Sequence, residues 1–139
     1  MSLLSVLPIA GSGMSAESER LSAVASNLAN ANSATSSAGA PYRAREVVFE
    51  AVAPTAGGDG AAGTGMAGVR VAGVVESPEP LRSVYDPGSS LADASGYVQM
   101  PNVDPVEEMV NMISAQQDYQ ADLEAFNVAK SLALRTLSI

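Results

Sequence analysis

The 139-residue chain is predicted to be mainly α, with long N- and C-terminal helices packing as a coiled-coil-like pair around a short-stranded, Gly/Pro-rich, β-rich middle. Three observations predict this. Met14–Ala38 and Val106–Ile139 contain neither Gly nor Pro, whereas nearly all the Gly and Pro lie from Gly39 to Pro105. The C-terminal segment repeats its apolar residues at alternating spacings of three and four. The middle contains two short β-branched runs. The boundaries that follow are 1–38 for the N-terminal helical segment, 39–103 for the middle module and 104–139 for the C-terminal helix.

The N-terminal helix repeats at seven residues through Met14, Leu21 and Leu28, with Ser18 and Ala25 between. Gly11 and Gly13 leave its start open, and SATSS at Ser33–Ser37 ends it. Its last turns read RLSAVASNLANANS (Arg20–Ser33), where Leu21, Val24, Ala25, Leu28 and Ala29 mark an apolar stripe. Asn27, Asn30 and Asn32 crowd that end, although Asn is a mediocre helix former. Two readings stand: the carboxamides set the register of a close helix contact, because burying them unpaired is costly, or they cap a fraying helix end.

In the middle, YRAREVVFEAV (Tyr42–Val52) and VRVAGVV (Val69–Val75) are strand-like. Ala56–Gly68 is almost entirely Gly, Ala and Thr, the composition of a mobile loop. Pro78, Pro80, Pro87 and Pro101 punctuate an extended stretch from Glu76 to Val103. The C-terminal helix has a start signal in Asp104-Pro105-Val106-Glu107: Asp104 at the N-cap, Pro105 at the first helical position and Glu107 at the capping-box position. Its heptad line runs Met109, Met112, Gln116, Tyr119, Leu123, Phe126, Lys130, Ala133 and Leu137, with Ile113, Leu132 and Leu134 widening it. Neither terminal helix has enough large apolar partners in its own chain to be covered.

Composition excludes several function classes. The formal charge is −8, with seven scattered Lys and Arg and no His, which argues against nucleic acid and anionic lipid as partners. With no Cys there is no disulfide framework or thiolate zinc site. The apolar run Leu3–Ala10 is short, holds Ser5 and Pro8, and has no basic residue before it, so neither a Sec-type signal nor a membrane span is expected.

Candidate chemistry is thin. Gly58–Gly63 matches G-x-G-x-x-G, but Gly65 and Gly68 follow at once and forbid the helix that a dinucleotide site needs. Asp118, Asp122 and Glu124, and the adjacent Glu107 and Glu108, have spacings that suit a hard cation; a solvated helix face explains them more simply. Without His or Cys the usual general bases and nucleophile pairs are missing. No enzyme activity, cofactor or metal is expected. Met109 and Met112 read as adaptable seam residues.

The stretch MSLLSVLPIAGSGMSAESERLSAVASNLANANS resembles the N-terminus of the flagellar rod and hook axial protein family, whose signature surrounds SNLANANS. PYRAREVVFEAV (Pro41–Val52), GVRVAGVVES (Gly68–Ser77), GYVQMPNVDPVEEMVNMISA (Gly96–Ala115) and DYQADLEAFNVAKSLALRTL (Asp118–Leu137) are similar to its proximal-rod members. Asp122 stands where those members commonly carry Asn, and Gly88-Ser89-Ser90 where they carry a His-Pro pair. The resemblance implies a structural, torque-transmitting subunit of the basal body, in the periplasm, exported through the flagellar type III apparatus without a cleaved signal. Implied partners are copies of itself, other proximal-rod and distal-rod proteins, the hook-basal-body adaptor protein and the export gate. Expected interface residues are Met14, Leu21, Asn27, Leu28 and Asn30 on the first helix, and Met109, Met112, Ile113, Tyr119, Leu123, Phe126, Leu134 and Leu137 on the second. The competing reading is a soluble helical adaptor or export chaperone.

Overall fold

A computed structural model describes residues 3–35, 39–52 and 68–137, and helical side chains from Val6 to Thr136. Of the expected loop 56–68, residues 56–67 lie outside the described residues and Gly68 is the first residue of a strand, and the side chain of Leu137 is likewise outside them. The order of elements is α1 (Leu3–Asn30), β1 (Arg45–Val52), β2 (Gly68–Glu76), β3 (Arg82–Tyr85), β4 (Tyr97–Met100) and α2 (Pro105–Leu137). Two helices thus flank a middle of short strands. Among the described residues no helix is long and apolar enough to cross a membrane.

Helix α1 runs through Pro8, Gly11 and Gly13 rather than starting after them. Pro8 removes one amide from the helical ladder near its N-terminal end. Helix α2 starts as its sequence signal requires: Pro105 is the first residue, and Asp104 Oδ1 accepts the Val106 amide at 2.8 Å. Glu107 is exposed and makes no return bond to Asp104, so the cap is one-sided.

β1 pairs with β2 in one two-stranded sheet, and β3 with β4 in another. The second pair is antiparallel, with Arg82 opposite Met100 and Tyr85 opposite Tyr97. These two strands fall inside the stretch read from sequence only as extended. Their connection is held by Asp93, whose Oδ1 accepts the amides of Ser95 and Tyr97 at 2.8 and 2.9 Å.

The chain divides into two compact units. One gathers Met1–Leu21, Val47–Gly73 and Ser114–Ile139. Here α1 and α2 run antiparallel, with Gly13 against Asp122 and Arg20 beside Asp118. Ser12 Oγ accepts the Val69 amide at 3.1 Å and so fixes the start of β2 on α1.

The other unit gathers Ser22–Glu46 and Val74–Ile113. Its core is Ala31, Ala44 and Val103, with Tyr42 packed against them. Asn102 joins three strands of chain there. Its Oδ1 accepts the Ala44 amide at 2.8 Å, and its Nδ2 donates to the Glu79 carbonyl at 3.0 Å. The Ser77 amide donates to the Ala44 carbonyl at 2.8 Å.

Gly96 has φ +83°, and a Cβ there would lie 2.9 Å from Tyr85 Cε2 and 3.3 Å from Pro87 Cβ. Tyr85 and Tyr97 form an edge-on ring pair, centroids 5.3 Å apart, beside it. Gly96→Ala is expected to destabilise the protein by about 1–3 kcal/mol, from left-handed strain and displacement of the Tyr85 ring. Urea denaturation of the variant against the parent protein checks this.

Candidate functional site

The end of α1 is built around Asn27, which is 1 % exposed. Its Nδ2 donates to the Arg45 carbonyl at 2.9 Å and to Glu108 Oε1 at 3.1 Å. Its Oδ1 accepts the Arg45 amide at 2.8 Å and the Tyr42 hydroxyl at 2.9 Å. A carboxamide has two donors and two acceptor positions, and all four are used. Ser26 Oγ lies 3.0 Å from the Tyr42 oxygen and completes the cluster. The Arg45 guanidinium stands over the Tyr42 ring, 5.7 Å from its centroid.

Asn30 behaves differently. Its Nδ2 donates back to the Ser26 carbonyl at 2.8 Å, and its Oδ1 accepts from Ser33 Oγ at 3.2 Å. This is local bonding at a helix end, and Asn32 is exposed. The two sequence readings therefore divide between residues: Asn30 finishes the helix, and Asn27 is a buried tie to the chain's own β1 and α2.

Along α2 the inward line is Glu108, Met112, Ala115, Tyr119, Asp122, Phe126, Ala129 and Ala133, all buried or half-buried. It keeps the alternation of four and three residues. Relative to the heptad line read from sequence it shares Met112, Tyr119, Phe126 and Ala133. It takes Glu108, Ala115, Asp122 and Ala129 in place of Met109, Gln116, Leu123 and Lys130. Ala115 is 0 % exposed, whereas Leu123 is exposed. On α1 the buried positions are Ala10, Ala16, Val24 and Asn27, with Ala31 buried just past its end, while Met14, Leu21 and Leu28 are half-buried and Ala25 and Ala29 exposed.

Small inward residues let helix backbones approach closely, since interaxial distance follows side-chain size. Gly13 shows how close: a Cβ there would collide with the Asp122 carboxylate. Nearby, Arg20 Nη1 lies 3.4 Å from both Glu17 Oε2 and Asp118 Oδ2. Burial pushes the Glu17 carboxyl above its ordinary range; Arg20 opposes this, and Asp118 and Asp122 add to it. Among the described residues no three acidic side chains converge as a metal site.

What the chain leaves outside is apolar and large. Val106, Met109, Val110 and Ile113 follow i, i+3, i+4, i+7 spacing at the start of α2, and Val106 is 70 % exposed. Further along, Leu123, Val128, Leu132 and Leu134 are exposed too. Of the expected interface residues, Met109, Ile113, Leu123 and Leu134 thus face solvent. Met14, Leu21, Leu28, Met112, Tyr119 and Phe126 are half-covered by their own chain, and Asn27 and Asn30 are engaged within it. Sequence reasoning passed over Val106, Val110 and Val128, although the step of four from Val106 to Val110 carries the helical spacing.

Residues 7–36 match the family model described as flagella basal body rod protein, and residues 94–139 match that of the flagellar basal body rod FlgEFG protein C-terminal. The chain is 52 % identical over 139 residues to the flagellar basal-body rod protein FlgC of Salmonella typhimurium, covering 100 % of this chain and 98 % of the relative. The chain belongs to the FlgC family. The FlgC of Escherichia coli O6:H1 is likewise 52 % identical over 139 residues, with the same coverage. That of Aquifex aeolicus is 40 % identical over 136 residues, 98 % of this chain and 96 % of the relative. The similarity to FlgC proteins thus runs through both helices and the middle strands. It lends no support to the adaptor or chaperone reading.

Replacing Asn27 with Ala takes their Asn27 partner from the Arg45 amide and carbonyl and from Glu108 Oε1, while the Tyr42 hydroxyl keeps Ser26 Oγ. At about 1–3 kcal/mol for each stranded buried group, Asn27→Ala is expected to lose about 2–4 kcal/mol of stability in urea denaturation.

Proposed function

We propose that the chain is a structural subunit of the proximal part of the flagellar basal-body rod, where it transmits torque as part of the drive shaft. The observation that carries the reading is the row of large apolar side chains left exposed on α2, from Val106 to Leu134, in a chain of the FlgC family. Such a row is unfavourable in water, and contact with neighbours removes it from water, contributing about 1.5–3 kcal/mol for each large side chain fully buried. Met109, Ile113, Leu123 and Leu134 are the contact residues on α2, and Leu137 extends the same helix. The half-covered Met14, Leu21, Leu28, Met112, Tyr119 and Phe126 line the flanks of these contacts. Asn27 and Asn30 act indirectly, by holding the end of α1 in the shape that the contacts require.

In this reading the segments 1–38 and 104–139 furnish helices to an inner tube, and the middle module 39–103 contributes to an outer layer. The neighbours are further copies of the chain, other proximal-rod and distal-rod proteins, the hook-basal-body adaptor protein and the export gate. The subunit leaves the cytoplasm through the flagellar type III apparatus without signal cleavage and assembles in the periplasm. The function is mechanical and calls for no cofactor.

Ile113→Asp and Leu123→Asp test this. Both side chains are exposed in the single chain, so each substitution is expected to change its stability by no more than about 0.5 kcal/mol. In cells that depend on this chain for their rod, both variants are expected to be produced at parental levels and to abolish swarming. Normal swarming by both would exclude the exposed row of α2 as the assembly contact.

A further inference from the structure

Glu108 is the carboxylate that the fold treats least well. Its Oε1 accepts one hydrogen bond, from Asn27 Nδ2 at 3.1 Å. Its Oε2 is shut away from solvent with no hydrogen-bond partner, the sole buried side-chain oxygen or nitrogen in that state among the described residues. An ionised carboxyl offers about four acceptor positions, so the one bond to Oε1 leaves the share of charge on the enclosed Oε2 without compensation.

The surrounding charges make this worse. Glu46 on β1 and Glu107 on α2 both repel a negative charge at Glu108. The positive group at hand, Arg45 on β1, stands over the Tyr42 ring, and none of the three ion pairs among the described residues includes Glu108. Asp104 is occupied by the Val106 amide, and the Tyr42 hydroxyl by Asn27 Oδ1. Protonation removes the charge and keeps a carbonyl oxygen as acceptor for Asn27.

We propose that Glu108 is a proton-operated latch on the start of α2. With a proton on its carboxyl group it seats against Asn27 and holds the first turn of α2 to the junction of α1 and β1. Without that proton the repelled carboxylate loosens the turn. Burial raises the carboxyl above the ordinary glutamate range; Glu107 and Glu46 add to this, and the Asn27 bond opposes it. A carboxyl raised in the folded state takes up its proton more readily there than in the unfolded chain. Its stabilising effect is therefore complete below the unfolded value and is lost as pH rises through the folded one. The latch belongs to the single chain and does not depend on assembly.

The test uses the full-length chain with ¹³C-labelled glutamate. The Glu108 carboxyl signal is followed against pH in the folded protein and again in urea. The expected result is an upward shift of its midpoint in the folded state, with amide-exchange protection in Glu108–Met112 falling above that midpoint once intrinsic exchange is corrected. Stability in urea is expected to fall over the same window. Glu108→Gln is expected to make that fall shallower, leaving the part contributed by Glu17, the other raised carboxyl, whereas Glu17→Gln retains the part due to Glu108. A folded midpoint at or below the unfolded one overturns the proposal, as does an unchanged pH slope in Glu108→Gln. Should that variant not fold, the titration of the unsubstituted protein decides alone.

Discussion

The four hydrogen bonds of Asn27 are the constraint on which the arrangement of this chain depends. Two of them join the carboxamide to the amide and the carbonyl of Arg45, the same two-bond exchange by which antiparallel strands pair. The side chain thus stands in for a neighbouring strand and fixes where β1 begins. The other two reach Tyr42 and Glu108. One residue at the end of α1 therefore sets the path of the chain leaving the helix and the seat of the first turn of α2. No aliphatic side chain of similar size offers donors and acceptors together, which explains a carboxamide among residues otherwise small.

A second constraint follows from the first. Close approach of helix backbones requires small side chains on the facing surfaces, and Gly13, Ala16, Ala115 and Ala129 provide them. Burying alanine removes little apolar area from water, so the two helices gain modestly from each other. The residues able to contribute more, such as Ile113 and Leu123, lie on the outside. A monomer built only for its own stability would reverse this distribution. The pattern suits a polypeptide whose larger apolar contacts are made with neighbours, as the FlgC family relationship suggests.

The helices were legible because their signals are local. Asp104 and Pro105 announce the start of α2 within two residues, and a Gly- and Pro-free segment marks its extent. For α1 that signal marks only the part from Met14 onward, because the helix continues back through Gly13, Gly11 and Pro8. β1 and β2 were legible from runs of β-branched residues. β3 and β4 were not: each has four residues, they lie between prolines, and their pairing depends on a turn set by Asp93. The inward line of α2 was read one position off at four of eight places. Heptad reading anchors the line on the large apolar Met109 and Leu123 and carries it at fixed spacing through Gln116 and Lys130, whereas the inward places belong to Glu108, Ala115, Asp122 and Ala129. The role of Asn27 was hidden for a different reason, since its partners lie 18 and 81 residues away.

The central claim is that the chain keeps its small residues for itself and its large apolar ones for assembly. The sequence has no native cysteine, so single cysteines at positions 109, 113, 123 and 134 can be labelled with a thiol reagent without background. The measurement compares the free chain with the same chain in isolated basal bodies. Fast labelling of all four in the free chain and protection of all four in the basal body is the result expected. Cysteines that label equally fast in both settings would contradict the account.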